Sequence, residues 1–298
     1  MSDTRQLMWA ILARAALTAP IPVRGLIDRV GAEQATDMLT TGDSALRGHG
    51  DLRDAARRDL DRAASVEVRL LTPDDADWPR PRLADLYAEH VESSAPVALW
   101  LRGHARLDTF AQSTIGMIGA RAVSDYGRHV TADIAGELAS RGWTICSGGA
   151  YGVDAAAHRA ALAHSGTTIA VLATGVDRAY PSPHAGLFDD IAATGLLVSE
   201  YPPQTAPSKS QFLARNRLVA ALTRGLVVTE AGLAGGTRNT VRWANRLARP
   251  VFAVPGPVYS ASSAGCHAMI RDGEAELVTT TTQILDALTS SADHATES

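Results

Sequence analysis

The sequence predicts an α/β protein: a mainly parallel sheet with helices on both faces, preceded by a small all-helical domain. Three observations predict it. From residue 114 onward, short apolar runs alternate with amphipathic stretches, with glycines at the junctions. Residues 5–64 carry only helical periodicity. The chain has 298 residues, 46% hydrophobic and 20% charged, enough for one or two domains with full cores.

The helical domain spans 1–64. Leu7, Ile11, Leu12, Ala15 and Ala16 recur at helical spacing until Pro20 and Pro22 interrupt them. Val23, Leu26, Ile27 and Val30 start a second helix, which Gly31 stops. Asp43-Ser44 is a candidate cap for a third, rich in Arg and Asp through Ala64. Residues 65–110 read as a connector broken by prolines, with one buried strand at 96–103. The α/β domain is expected over 65–285 and a polar tail over 286–298. Strands read at 114–118, 143–146, 168–172, 196–198, 226–229 and 251–254. Helices fall between them, notably at 124–140, 153–164 and 237–248. Apolar strands alternating with helices build a parallel sheet. Such sheets bind ligands beyond the carboxyl ends of their strands.

Four strand ends carry candidate binding groups. After the first, Gly119 permits a tight turn, Arg121 supplies a forked cation, and Ser124 caps a helix whose N–H groups face an anion. After the second, Gly148, Gly149 and Gly152 surround Tyr151 in a loop of backbone donors, or in a plain tight turn. The third group is Lys209, Phe212, Arg215, Asn216 and Arg217. Cations hold phosphates, and the aromatic either stacks a base or packs in the core. An extended loop does not put positions 209 and 212 on one face, so this reading requires a turn at Ser210-Gln211. The fourth is Gly235-Gly236-Thr237 at a helix start, another anion cradle. Arg238, Arg242 and Arg246 follow it four apart, on one face.

The net charge is −4, yet residues 209–249 hold eight bases against one acid, Glu230. Lys209 is the single lysine of the sequence. This window points to an anionic partner or to solvated helix faces.

Other chemistries are excluded. Cys146 and Cys266 form neither a disulfide framework nor a CxxC. There is no HxxxH, HExxH or Cys/His cluster, so no metal is expected. No GxxxxGK[ST] loop or GxSxG elbow occurs. No apolar run approaches the ~20 residues of a membrane span, and the polar N-terminus is not a signal peptide. A cytoplasmic protein is expected. His158 and Asp154, one turn apart, read as structural. Glu200 and Glu230 follow strands without an identifiable partner. No catalytic set and no cofactor site emerge.

Several motifs occur together and in order: Ser147-Gly148-Gly149-Ala150-Tyr151-Gly152-Val153-Asp154 with Ala157-His158, Tyr180-Pro181, Ser199-Glu200-Tyr201-Pro202-Pro203, Phe212 with Arg215-Asn216-Arg217, and Pro255-Gly256-Pro257 with Ser263-Ala264-Gly265-Cys266. Over about 115–280 the chain thereby resembles the DNA-processing protein A (DprA, or Smf) family. The N-terminal helices resemble, more loosely, that family's SAM-like domain. The resemblance implies an extended Rossmann-type domain that binds single-stranded DNA without strong sequence preference. It implies a homodimer that delivers the strand to the RecA recombinase in natural transformation, without catalysis. It maps strand binding onto Arg121, the 148–152 loop, Lys209, Phe212, Arg215-Asn216-Arg217 and the 235–237 turn. Two departures stand out. The last cradle usually reads Ser-Gly-Ser or similar. Many members also carry a C-terminal winged helix, which is not expected after Leu288 here. The runner-up is a nucleoside-monophosphate phosphoribohydrolase of the lysine-decarboxylase-like family, whose PGGxGTxxE turn Gly235-Gly236-Thr237 resembles. That family needs a glutamate where Thr240 stands. A third reading is a mononucleotide-binding regulator.

Overall fold

Helices α1 (Asp3–Ala16), α2 (Pro20–Val30), α3 (Ala32–Thr41) and α4 (Leu52–Ser65) open the chain. They bury the apolar stripe seen in the sequence: Ile11, Leu12, Val23, Leu26 and Leu39 share one core. The computed structural model describes residues 3–41, 51–88, 95–110 and 113–296. The cap expected at Asp43-Ser44 lies outside the described residues. Helix α3, which was not anticipated, starts directly after Gly31, whose φ of 81° lets the chain turn between helices.

The rest of the chain alternates. It runs β1 (Val68–Leu71), α5 (Arg80–Ala88), β2 (Leu99–Arg102), α6 (Leu107–Phe110), β3 (Thr114–Ile118), α7 (Asp125–Ser140), β4 (Thr144–Ser147), α8 (Val153–Ala163) and β5 (Thr168–Val171). It continues with α9 (Ala185–Thr194), β6 (Leu196–Ser199), α10 (Lys209–Ala221), β7 (Gly225–Val228), α11 (Thr237–Arg246), β8 (Val251–Ala253), α12 (Ala264–Arg271), β9 (Glu276–Leu277) and α13 (Thr281–Thr296). The strands form one nine-stranded sheet in the order β1-β2-β6-β5-β4-β3-β7-β8-β9. β1 and β2 pair antiparallel with each other, and β2 with β6; all other pairs are parallel.

Both faces are covered, as the continuous apolar strands require. In β3, Ile115 and Met117 face a core shared with Ile134 and Leu138 of α7, while Ile118 faces the opposite core. That opposite core takes Leu226 and Val228 of β7 with Leu218 of α10 and Val241 of α11. The helical bundle packs on the sheet's other end, where its core continues into Trp100 and Ile191.

Further features differ from the sequence reading. The connector holds β1, whose pairing with β2 is a tertiary contact that no local pattern announces. It also holds α5, with Pro81 in its first turn where a missing N–H costs nothing. The expected polar tail begins inside α13, which buries Ile284 and Leu288. Finally, Lys209–Ala221 is a helix. Ser208 caps it by accepting from the Gln211 N–H. Residues 215–221 are buried on every side, so the helix has no apolar stripe to read.

Candidate functional site

β3 lies between β4 and β7, and its loop leads to α7 on one face while the β7 loop leads to α11 on the other. Parallel sheets open a crevice at such a reversal. Here it is an open cleft of about 770 Å³. Gly119 and Arg121 line it from the β3–α7 loop, Gly148 from the β4–α8 loop, and Lys209, Phe212, Arg215 and Asn216 from α10. Gly235, Gly236 and Thr237 complete it at the start of α11. A side slot of about 80 Å³ beside the cleft takes in Gly149 and Tyr151. Four distant segments therefore meet, and every expected residue except Ser124 and Arg217 lines one of the two spaces.

The loops are locked to one another by backbone approach. Gly152, at φ 80°, faces the Ala120 carbonyl so closely that no side chain fits. The Thr237 hydroxyl donates to the Gly119 carbonyl at 3.2 Å, tying the β7–α11 turn to the β3–α7 loop. Helix α11 has glycine at its N-cap and no side-chain cap. Nothing lies within 4 Å of where a Cβ would stand on Gly235 or Gly236. This helix start, with its positive dipole end, is open for an anion.

On α10, Lys209 and Phe212 are three residues apart in a helix and share a face without the turn the loop reading needed. Both Arg121 and Lys209 are exposed. The Arg121 guanidinium carbon stands 5.7 Å from the Phe212 ring centre, and the Tyr180 ring stands 5.5 Å from it.

Ser124 points elsewhere. It caps α7, and its hydroxyl donates to Glu230 Oε1 at 2.6 Å while its N–H donates to Oε2 at 2.7 Å. The Ser262 hydroxyl donates to Oε1 as well. Glu230 is 1% exposed. The helix start expected to hold an anion already holds this carboxylate. Arg217 is also withdrawn. It is buried and donates through both terminal nitrogens to Glu200, at 2.5 and 2.6 Å. Burial lowers its pKa, but Glu200 outweighs that and raises it overall. Glu200 and Glu230 thus have partners that the sequence did not reveal.

Arg215 reaches the cleft but is buried, with its Nη1 donating to the Val171 carbonyl. Burial lowers its pKa against the opposing charge of Asp154, and burial raises that of Asp154. His158 is structural, as read. Its Nε2 meets the Gly148 carbonyl at 2.7 Å and its Nδ1 meets Thr168 Oγ1 at 2.6 Å. Burial pushes it down to about 4, so it stays neutral and holds the glycine loop in place.

The basic window shrinks on inspection. Arg217 pairs with Glu200, Arg238 with Glu274 at 2.9 Å, and Arg249 with Asp85 at 2.6 Å. Arg224 lies over Trp143 and donates to the Leu288 carbonyl. Of the cations lining the cleft, Arg121 and Lys209 are the exposed ones. Among the described residues, no group of His, Cys, Asp and Glu is placed to hold a metal ion, and no helix is long and apolar enough to cross a membrane.

The model of the DNA recombination-mediator protein A family, DprA, matches residues 69–289. The chain belongs to the DprA family. A DNA processing protein DprA of Mycobacterium tuberculosis is 44% identical over 299 residues, covering 96% of this chain and 76% of its own length. The Streptococcus pneumoniae DprA is 40% identical over 64% of this chain and 66% of its own. The crystal structure of that DprA superposes with a TM-score of 0.75 at 32% identity, over 93% of this chain and 95% of its own. A Helicobacter pylori DprA structure, described for its single-stranded DNA binding mode, gives 0.64 at 28% identity, over 76% and 97%. The resemblance read from motifs over 115–280 therefore extends well beyond them. The Rossmann-like α/β fold expected of a DprA is the fold observed.

Proposed function

We propose that the cleft binds single-stranded DNA, that the protein does so as a cytoplasmic homodimer without catalysis, and that it passes the strand to the RecA recombinase. One observation carries the strand-binding reading: Arg121, Lys209, Phe212 and the uncapped start of α11 line one open cleft. Cations along a groove with an aromatic platform suit a strand of any sequence. The family's recombination-mediator description and the H. pylori relative's DNA-binding mode support it. Delivery to RecA, dimerisation and a role in natural transformation rest on family membership alone.

The hydrolase alternative is disfavoured. Thr240 stands where that chemistry needs a carboxylate, and it is buried on α11. Incubation with AMP should release no free base.

The experiment is a titration of fluorescent oligothymidylate at two salt concentrations, with AMP and duplex as competitors. Tight binding at low salt should weaken by roughly 0.7 in log–log slope for each phosphate neutralised. A flat salt dependence, equal affinity for duplex, or displacement by AMP at stoichiometric concentration would overturn the assignment.

A further inference from the structure

Residues 209–249 hold eight bases. Burial, ion pairs or carbonyl contacts occupy Arg215, Arg217, Arg224, Arg238 and Arg249. Lys209 lines the cleft. Arg242 and Arg246 of α11 remain. Both are exposed, and neither makes an ion pair among the described residues.

Both are nevertheless held in place. Arg242 Nε donates to the Arg238 carbonyl at 3.3 Å, which lays the side chain back along the helix. The Arg246 guanidinium carbon stands 5.4 Å from the centre of the Trp243 ring, and Trp243 is 6% exposed, so the ring is a fixed support. A carbonyl and a ring cancel no charge. Both guanidiniums keep forked N–H edges for an anion's oxygens. Holding a long side chain in advance also lowers the entropy cost of gripping that anion.

The two arginines continue a row that starts behind the cleft wall. Asn216 lines the cleft, and its Nδ2 donates to Asn239 Oδ1 at 3.1 Å. Arg242 is three residues beyond Asn239 and Arg246 four beyond that, spacings that make neighbours on one helix face. The steps along the axis are about 4.5 and 6 Å. The adjoining edge of α11 is closed: Arg238 bonds Glu274, and Asn245 Nδ2 donates to the Glu274 carbonyl.

We propose that the outer face of α11 is a second phosphate track, on which Arg242 and Arg246 each take one phosphate of the strand as it leaves the cleft. The proposal rests on the strand-binding reading of the cleft. A strand suits this face better than an acidic protein does. The row begins at the cleft, and among the described residues α11 exposes no large apolar side chain. A protein partner needs a desolvated anchor at the centre of its interface. Cations without an exposed ring hold the backbone of a strand and carry no base information.

The test compares the full chain with the double variant Arg242→Gln, Arg246→Gln on oligothymidylates of about 4 to about 20 residues. Each tract is titrated at several salt concentrations. On the shortest tracts that bind, both proteins should give the same Kd and the same log–log salt slope. On the longest, the variant's slope should be smaller by about 1.4, two phosphates' share. The double variant Arg242→Lys, Arg246→Lys should keep most of the long-tract slope, since it keeps the charge. All three proteins should share one melting temperature, because both side chains are exposed. A slope lost equally on short and long tracts would mark a general field instead of contact and overturn the track. Equal slopes at every length would also overturn it and leave α11 to a partner other than the strand. Both results leave strand binding in the cleft standing. If the unaltered protein binds no tract at low salt, the strand-binding reading falls and the track with it.

Discussion

Arg217→Ala separates two roles that the sequence could not distinguish. The motif reading places Arg217 on DNA; the structure buries it against Glu200. Its side chain is 4% exposed, and that of Glu200 is 18% exposed. Two hydrogen bonds of 2.5 and 2.6 Å join them, and a third runs from Arg217 to the Ala214 carbonyl at 3.0 Å. Removing one member of a buried pair strands the other and costs about 3–5 kcal/mol. Glu200 keeps some access to water, so the expected loss is near the lower end, about 3 kcal/mol. At about 2–4 °C per kcal/mol for a domain of this size, the melting temperature should fall by roughly 6–12 °C. Affinity per folded molecule and the salt slope should stay as they are. Thermal denaturation and oligonucleotide anisotropy on the same sample check this. The double variant Arg217→Met with Glu200→Met should recover most of the stability, since an apolar pair of similar volume often replaces a buried ion pair without loss. An unchanged melting temperature together with a reduced salt slope would refute the argument and return Arg217 to the strand.

Arg121→Ala should weaken strand binding by about 1.5 kcal/mol, roughly tenfold in Kd, with the melting temperature unchanged because the side chain is exposed; a melting shift with intact affinity would count against it. Lys209→Ala should reduce the log–log salt slope by about one phosphate's share, roughly 0.7, read from titrations at two or more salt concentrations. Gly236 has φ −69° and open space around it, so Gly236→Ala should leave stability unchanged or raise it by up to about 1 kcal/mol. It should lower strand affinity by crowding the start of α11, and unchanged affinity would remove that turn from the site. His158 is held down to about 4 from a usual 6.5. A lowered histidine pKa means that the unfolded chain takes up the proton first, so stability is complete above about 6.5 and is lost as pH falls toward 4. Denaturant unfolding should show a loss of about 2 kcal/mol between pH 7 and pH 5 that is absent in His158→Gln.

The central sheet was legible because its strands are buried on both faces and so appear as unbroken apolar runs. The glycine turns were legible for a related reason: Gly119 and Gly152 sit where backbones approach too closely for any side chain, and Gly148 sits against the buried Arg215 and Asp154 side chains. Helix α10 was not legible. Its first half mixes Lys209, Ser210 and Gln211 with Phe212, Leu213 and Ala214, of which Lys209, Phe212 and Leu213 line the cleft, and its second half buries Arg215, Asn216 and Arg217 beside leucine and alanine. Neither half shows the one-sided stripe that periodicity detects. The Ser124–Glu230 bond spans 106 residues, and the Arg217–Glu200 pair forms across two elements. Charge counting along the chain registers both arginines and carboxylates but not which of them cancel. The basic window lost much of its force for that reason.

The fate of Ser124 bears on what kind of anion the cleft suits. In parallel sheets of this type, the first strand–glycine–helix turn is where a mononucleotide's phosphates meet a helix start. Here that start is filled by Glu230, which satisfies the Ser124 N–H and hydroxyl and is bound in turn by Ser262. A phosphate at that place would have to displace a buried carboxylate or lie against it, and like charges in a poorly solvated site repel strongly. The remaining anion-seeking groups are spread out: the uncapped start of α11 on one side, Lys209 at the start of α10 on another, and Arg121 on an exposed loop. A compact nucleotide presents its phosphates at one end and would leave most of these groups unused. A strand presents one phosphate per residue along an extended path and can meet each in turn. The protein's own carboxylate thus argues against a nucleotide occupant of this cleft and for a polymeric one.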